Sequence, residues 1–211
     1  MEINIANIIN AIGVIIIGVF SFLQYWFNKR ADHNFKVKEK EIERMSYRRA
    51  DNSANIYREL YNLLHYLHAD RVYIVQPHPL GNEDSISVYY EVTRKGIVGM
   101  KDQIQGLNIK SLAVMTGDLA NTLFWSIKDI DGQIKDKYAK SMFFNNGTEC
   151  AYIKRLSDNR FDWNGSLFVE YTRAVEMNDE ELKLFQIYTR AINDKAKSVI
   201  EYICTLMPKS L

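Results

Sequence analysis

The stretch that most constrains this chain is Ile5 to Phe27, IANIINAIGVIIIGVFSFLQYWF, which carries no charged side chain. A helix rising about 1.5 Å per residue needs about 20 residues to cross a hydrocarbon core of about 30 Å, so the run is long enough to span a membrane. Tyr25 and Trp26 close it where aromatic rings sit at headgroup level. Asn28, Lys29 and Arg30 follow at once and give a stop-transfer flank. A cleaved signal peptide needs a basic segment before the apolar run and small residues at a cleavage site after it. The only side-chain charge ahead of the run is Glu2, and Gln24-Tyr25-Trp26 is no such site, so a retained anchor over residues 1–27 is expected.

On a helical wheel at about 100° per residue, Asn7, Ala11, Val14, Gly18 and Ser21 fall on one side. Small and amide side chains on one stripe let helix backbones approach within lipid and hydrogen-bond across the contact. Self-association through this stripe, giving a homo-oligomer in the membrane, is the expectation.

The next segment, residues 28–54, is highly charged and reads as a helical stalk. Lys29, Arg30, Lys36, Lys38 and Lys40 form a juxtamembrane basic group interspersed with Asp32, Glu39, Glu41 and Glu43. Such a group is either a solvated helix face or a contact for anionic membrane lipid. Lys and Arg near a span favour the cytoplasmic side, and here they follow the span and are absent before it, so the charge rule predicts a cytoplasmic domain. Ile42, Met45, Ile56, Leu60, Leu63 and Leu67 keep helical spacing with no proline between them, which predicts one long helix leaving the membrane.

Residues 55–211 read as one α+β domain. Arg71 to Gln76 is a β-branched and aromatic run ended by Pro77-His78-Pro79-Leu80-Gly81-Asn82, a strand followed by a loop. Ile86 to Thr93 alternates, which predicts Ile86, Val88, Tyr90 and Val92 on a single buried face. Glycines break residues 96–136 into short pieces, among which Ser111 to Met115 is read as an edge strand and Asp118 to Ile127 as a helix. Glu149 to Leu156 and Ser166 to Thr172 are further strands, with an Asn164-Gly165 turn before the second. Asn178, followed by Asp179, Glu180 and Glu181, caps a closing helix whose apolar face includes Leu182, Phe185, Ile192, Ala196, Val199, Ile200 and Ile203. One antiparallel sheet covered by helices is the predicted fold.

Catalytic chemistry is not visible. The four histidines, His33, His65, His68 and His78, lack companions at metal-ligand spacing, and no phosphate-binding glycine loop or nucleophile motif occurs. Asp129 and Asp131 flank a turn-like stretch. Cys150 and Cys204 form no framework, and a single bridge between them is left open. A net charge of +1 gives no reason to expect nucleic acid. No enzyme activity, no metal and no cofactor are expected.

Ala69 to Val75 entering the first strand, His78 after it, and Gly165 to Tyr171 ahead of an acidic-capped helix resemble the GAF/PAS-like sensory fold over roughly residues 55–202. Where such domains often carry a His-Asn-Gly turn, this chain has His78-Pro79-Leu80-Gly81-Asn82. The combination of one N-terminal span, a stalk and such a domain is similar to the T-even phage-type holins, with Phe161 to Tyr171 and Met177 to Leu182 as the best local match. That resemblance implies a host inner-membrane oligomer that permits lysis, with a soluble periplasmic domain receiving an antiholin-like protein regulator. The chain ends at Leu211 directly after the last helix, so the expected output is association itself. A regulator would meet the Pro77 to Asp84 loop, with His78, Leu80 and Asn82 as candidates, or the Gly96 to Gly117 segment. The alternative expectation is a membrane-anchored cytosolic GAF-like module that senses a ligand or binds a protein and forms no lesion.

Overall fold

The computed structural model describes residues 5–78, 85–157 and 163–206. Contacts divide the chain into two units, Met1–Arg48 and Arg49–Leu211. Helix α1 (Ile5–Tyr66) runs without a proline, and no glycine interrupts it after Gly18. Val19, Phe20, Phe22, Leu23, Tyr25, Trp26 and Phe27 are exposed on it. Among the described residues, no helix is long and apolar enough to cross a membrane. The side chains of residues 5–17, the first part of the expected span, are not among those described.

The second unit is built on six strands in the order β3-β2-β1-β6-β5-β4. They are β1 (Arg71–His78), β2 (Ser85–Thr93), β3 (Leu107–Asn108), β4 (Phe124–Ile127), β5 (Cys150–Arg155) and β6 (Ser166–Tyr171). Every neighbouring pair is antiparallel. Helices α2 (Ala113–Asn121), α3 (Ile130–Gln133) and α4 (Lys137–Asn145) lie between β3 and β5 in the chain, and α5 (Asp179–Leu206) follows β6.

Both faces of this sheet are covered, whereas the alternation of Ile86 to Thr93 predicts only one buried face. On one side Ile56, Leu60 and Leu63 of α1 and Phe185 and Ile192 of α5 pack with Val72, Ile74, Leu167 and Val169. On the other, Leu112, Met115 and Leu119 around α2 and Ala139, Met142 and Phe143 of α4 pack with Tyr73, Val75, Ile153 and Phe168. A central strand between two layers is apolar on both sides, and every residue of β6 is buried.

Strand β2 departs from its predicted alternation for a specific reason. Ile74 pairs with Tyr90 but Val75 pairs with Val88, so Tyr89 is an extra residue and forms a bulge. One inserted residue reverses the facing of everything beyond it. Ile86 and Val88 therefore join the α2/α4 side, while Tyr90 and Val92 join the α1/α5 side.

The segment between β3 and β5 also differs from expectation. Ser111 to Met115 is not an edge strand: Ile109–Leu112 is a 3₁₀ turn leading into α2. Leu112, Met115, Thr116 and Leu119 are all buried, and that spacing is helical. The expected helix over Asp118 to Ile127 ends at Asn121, and Phe124 onward is the edge strand β4. Helix α4, which the glycine-broken reading left out, begins where Asp136 accepts hydrogen bonds from the N–H groups of Tyr138 and Ala139.

Helix α5 starts as predicted. Asn178 Oδ1 accepts from the N–H groups of Glu180 and Glu181, and Glu181 Oε2 accepts from the Asn178 N–H, a reciprocal capping box. Of its predicted apolar face, Phe185 and Ile192 are buried and Leu182 is half-buried against the core. Ala196, Val199, Ile200 and Ile203 fall outside the described side chains.

Candidate functional site

Two features meet at the α4–β5 turn. Phe144 to Thr148 leave α4 through a left-handed Gly147 at φ 66°. The Gly147 N–H donates to Phe144 O and the Thr148 N–H to Phe143 O, closing the helix in a Schellman motif. This turn and the β4–α3 connection form the lips of a cleft of about 450 Å³ lined by Lys128, Asp129, Ile130, Asp131, Phe144, Gly147, Thr148 and Glu149.

The cleft presents carboxylates from Asp129, Asp131 and Glu149 beside an exposed Phe144 ring. Its cation, Lys128, is ion-paired with Glu176, and Asp131 is paired with Lys140 at 2.9 Å. Asp129 Oδ1 accepts from the Asp131 N–H, the turn expected for two acids at that spacing. The lining offers hydrogen-bond acceptors and one aromatic face, suited to holding a small polar solute. Among the described residues, no three His, Cys, Asp or Glu side chains converge as a metal site.

Behind the cleft lies a buried polar network. Arg71 at the start of β1 and Glu170 near the end of β6 are both fully buried and pair at 3.0 Å. Thr148, a cleft residue, donates its hydroxyl to Glu170 at 2.9 Å and accepts from Arg71 Nη2 at 2.6 Å. The guanidinium also donates to Val98 O at 2.9 Å and Asn146 O at 3.1 Å, and Tyr73 donates its hydroxyl to Glu170. Arg71 thus ties the sheet to the loop after β2 and to the cleft-forming turn. Burial pushes Glu170 up from the ordinary carboxyl range against the opposing pull of Arg71. Burial and the adjoining Glu170 carboxylate push the Tyr73 hydroxyl well above its ordinary value.

The same turn is braced at the surface, where Gln103 and Asn146 exchange two amide hydrogen bonds of 2.8 Å. Below the network, Asp70 accepts from the Thr172 N–H, the Thr172 hydroxyl and Arg173 Nη1. Burial pushes the Asp70 carboxyl up, but these donors and the Arg173 charge outweigh it and hold the group below its ordinary value.

The residues nominated from sequence lie elsewhere. Gly18 and Ser21 are exposed on α1, and Asn7, Ala11 and Val14 fall outside the described side chains. Lys29, Arg30, Lys36, Lys38 and Lys40 are exposed on α1. His78 ends β1, its side chain outside the described set, and Leu80 and Asn82 lie outside the described residues. Cys150 is a buried free thiol, and the Cys204 side chain is not described. Arg71, Glu170 and Thr148 were not singled out, although two charged residues inside otherwise apolar strand runs were a readable signal.

No family model matches the chain, and no curated protein matches it. Solved structures do. The phycocyanobilin-bound GAF domain of a cyanobacterial phytochrome aligns with a TM-score of 0.56 at 17% identity, over 78% of this chain and 96% of that one. A GAF domain from Synechocystis in its photoproduct state gives 0.57 at 14% identity, over 74% and 99%. A domain ascribed to a two-component sensor histidine kinase of Sinorhizobium meliloti gives 0.52 at 14% identity, over 72% and 96%. The chain therefore carries a GAF-like α+β fold. These neighbours give no support to the T-even phage-type holin resemblance. Of the residues that suggested it, Phe161 and Asp162 lie outside the described residues. Ser166 to Tyr171 form strand β6, with Trp163 Nε1 donating to Ser166 Oγ.

Proposed function

We propose that this chain is a membrane-anchored, cytoplasm-facing GAF-like sensory module without catalytic activity, which takes a small polar ligand in the cleft beside Thr148. The observation that carries the reading is a GAF-like fold whose open cleft shares Thr148 with the buried Arg71–Glu170 network at the root of β1. A ligand touching Thr148 would act on the first residue of the strand that follows α1. The anchor and the orientation rest on the apolar run before Phe27 and the basic residues after it.

A second reading, a lesion-forming holin-like oligomer regulated through its soluble domain, is favoured by one sequence feature, the small and amide stripe Asn7, Ala11, Val14, Gly18 and Ser21. One experiment separates the two. The intact chain, carrying a topology reporter after Leu211, is induced in a bacterium while growth and respiration are followed. The sensory reading expects a cytoplasmic reporter signal and uninterrupted growth with the protein in the membrane fraction. An abrupt collapse of respiration after a delay, with a periplasmic signal, would overturn it in favour of the holin-like reading.

A further inference from the structure

We infer that Tyr25 to Arg30 of α1 is a binding seat for the headgroup of an anionic phospholipid, a proposal that rests on the membrane-anchor reading. Exposed apolar residues from Val19 to Phe27 cover more than half of the helix circumference at about 100° per residue. One partner helix would cover a narrower stripe, whereas a surrounding lipid phase covers this width. At the charged end of that surface, Lys29 Nζ lies 5.8 Å from the centroid of the Tyr25 ring, and Arg30 Cζ lies 5.2 Å from that of Trp26.

Helical side chains lean toward the N-terminus, so each cation is folded back by one turn onto an aromatic ring at the border of the apolar segment. Tyr and Trp occupy the headgroup level of a bilayer, and the cation–π contacts hold both positive charges at that level. Asp32, at i+3 from Lys29, is the one acidic residue within a turn of them, so Lys29, Arg30 and Asp32 together keep one net positive charge. A phosphate with uncompensated negative charge is the complementary partner.

The other nominated basic residues do not share this setting. Lys36 is six positions beyond Arg30, about 9 Å along a helix axis and close to a Debye length of about 8 Å at physiological salt. Lys38 and Lys40 alternate with Glu39 and Glu41. The seat is therefore the Tyr25/Lys29 and Trp26/Arg30 pairs and excludes the more distal lysines.

The test uses the full chain reconstituted in phosphatidylcholine vesicles containing phosphatidylglycerol, with acyl-brominated phosphatidylglycerol or acyl-brominated phosphatidylcholine as quencher at equal mole fraction. Trp26 fluorescence is isolated by subtracting the signal of Trp26→Phe, which retains Trp125 and Trp163. About fivefold preferential quenching by the brominated anionic lipid is expected, from roughly 1 kcal/mol for the one net positive charge that Lys29 and Arg30 keep beside Asp32. Lys29→Ala with Arg30→Ala should abolish the preference, and Lys38→Ala with Lys40→Ala should retain it. Equal quenching by the two lipids in the unsubstituted chain overturns the seat while leaving the anchor standing, and so does a preference that survives loss of Lys29 and Arg30. Absence of Trp26 quenching by either lipid overturns the anchor and the seat together.

Discussion

Arg71 and Glu170 illustrate what a charge inside a strand run commits a fold to. They stand 99 positions apart, and each is fully buried because the other neutralises it. Removing one partner of a buried pair leaves the other uncompensated and costs about 3–5 kcal/mol, far more than a surface bridge would. Glu170→Gln keeps the shape but removes the charge and one acceptor oxygen, and should lower the unfolding free energy of the full chain, read from urea denaturation, by an amount in that range. A change below about 1 kcal/mol would show that Arg71 finds another counter-charge. Asp70 governs the acid side. Its folded-state value lies below the ordinary 3.8, so the unfolded chain binds more protons between the two values. Its contribution is fully present above the ordinary value and is lost as pH falls through the folded one. Asp70→Asn should flatten the loss of stability in that window, measured as denaturation midpoint against pH.

At the scale of elements, the parts legible in the sequence were those whose signal is local. The capping pattern at Asn178 and the β-branched strand runs each depend on a few adjacent residues. The bulge at Tyr89 depends on pairing with β1, and nothing local in SISVYYEVT marks it. Helix α2 was hidden because Gly117 reads as a breaker, yet it sits inside the helix with open space around it. The edge strand β4 was hidden because part of its edge is satisfied by a side chain. Gln133 Nε2 donates to Ser126 O, while Gln133 Oε1 accepts from the N–H groups of Lys128 and Asp129. The end of α1 carries another departure from the expected pattern. His68 holds φ 50° where a helix terminus usually has glycine. The His68 N–H donates to His65 O and the Ala69 N–H to Leu64 O, a Schellman closure. A non-glycine residue in this conformation costs roughly 1–2 kcal/mol, so His68→Gly should raise the unfolding free energy, read from denaturation, by about that much less the added chain entropy of glycine. A fall in stability would mean that the imidazole, whose ring lies 6.5 Å from that of His65, contributes more than the strain it imposes.

Across the domain, the candidate site lay beyond the reach of the sequence because it joins segments far apart in the chain. Its lips come from residues 128–131 and 144–149, and the network behind it from β1, β6 and the loop after β2. Thr148 is the residue both share. Its hydroxyl accepts from Arg71 and donates to Glu170, so Thr148→Val keeps the volume and leaves one donor and one acceptor of a buried ion pair unmatched. An unsatisfied buried polar group costs about 1–3 kcal/mol, and here that cost falls on the contacts joining the cleft turn to the root of β1. Local openings of those two segments should therefore become more frequent together. Amide hydrogen exchange of the full chain reads this directly: in Thr148→Val, exchange should speed up both at Asn146 to Glu149 and at Arg71 to Tyr73, with the amides of α5 unchanged. Faster exchange confined to the turn would show that β1 is held by Glu170 alone, and the cleft would then have no mechanical route to the strand that follows α1.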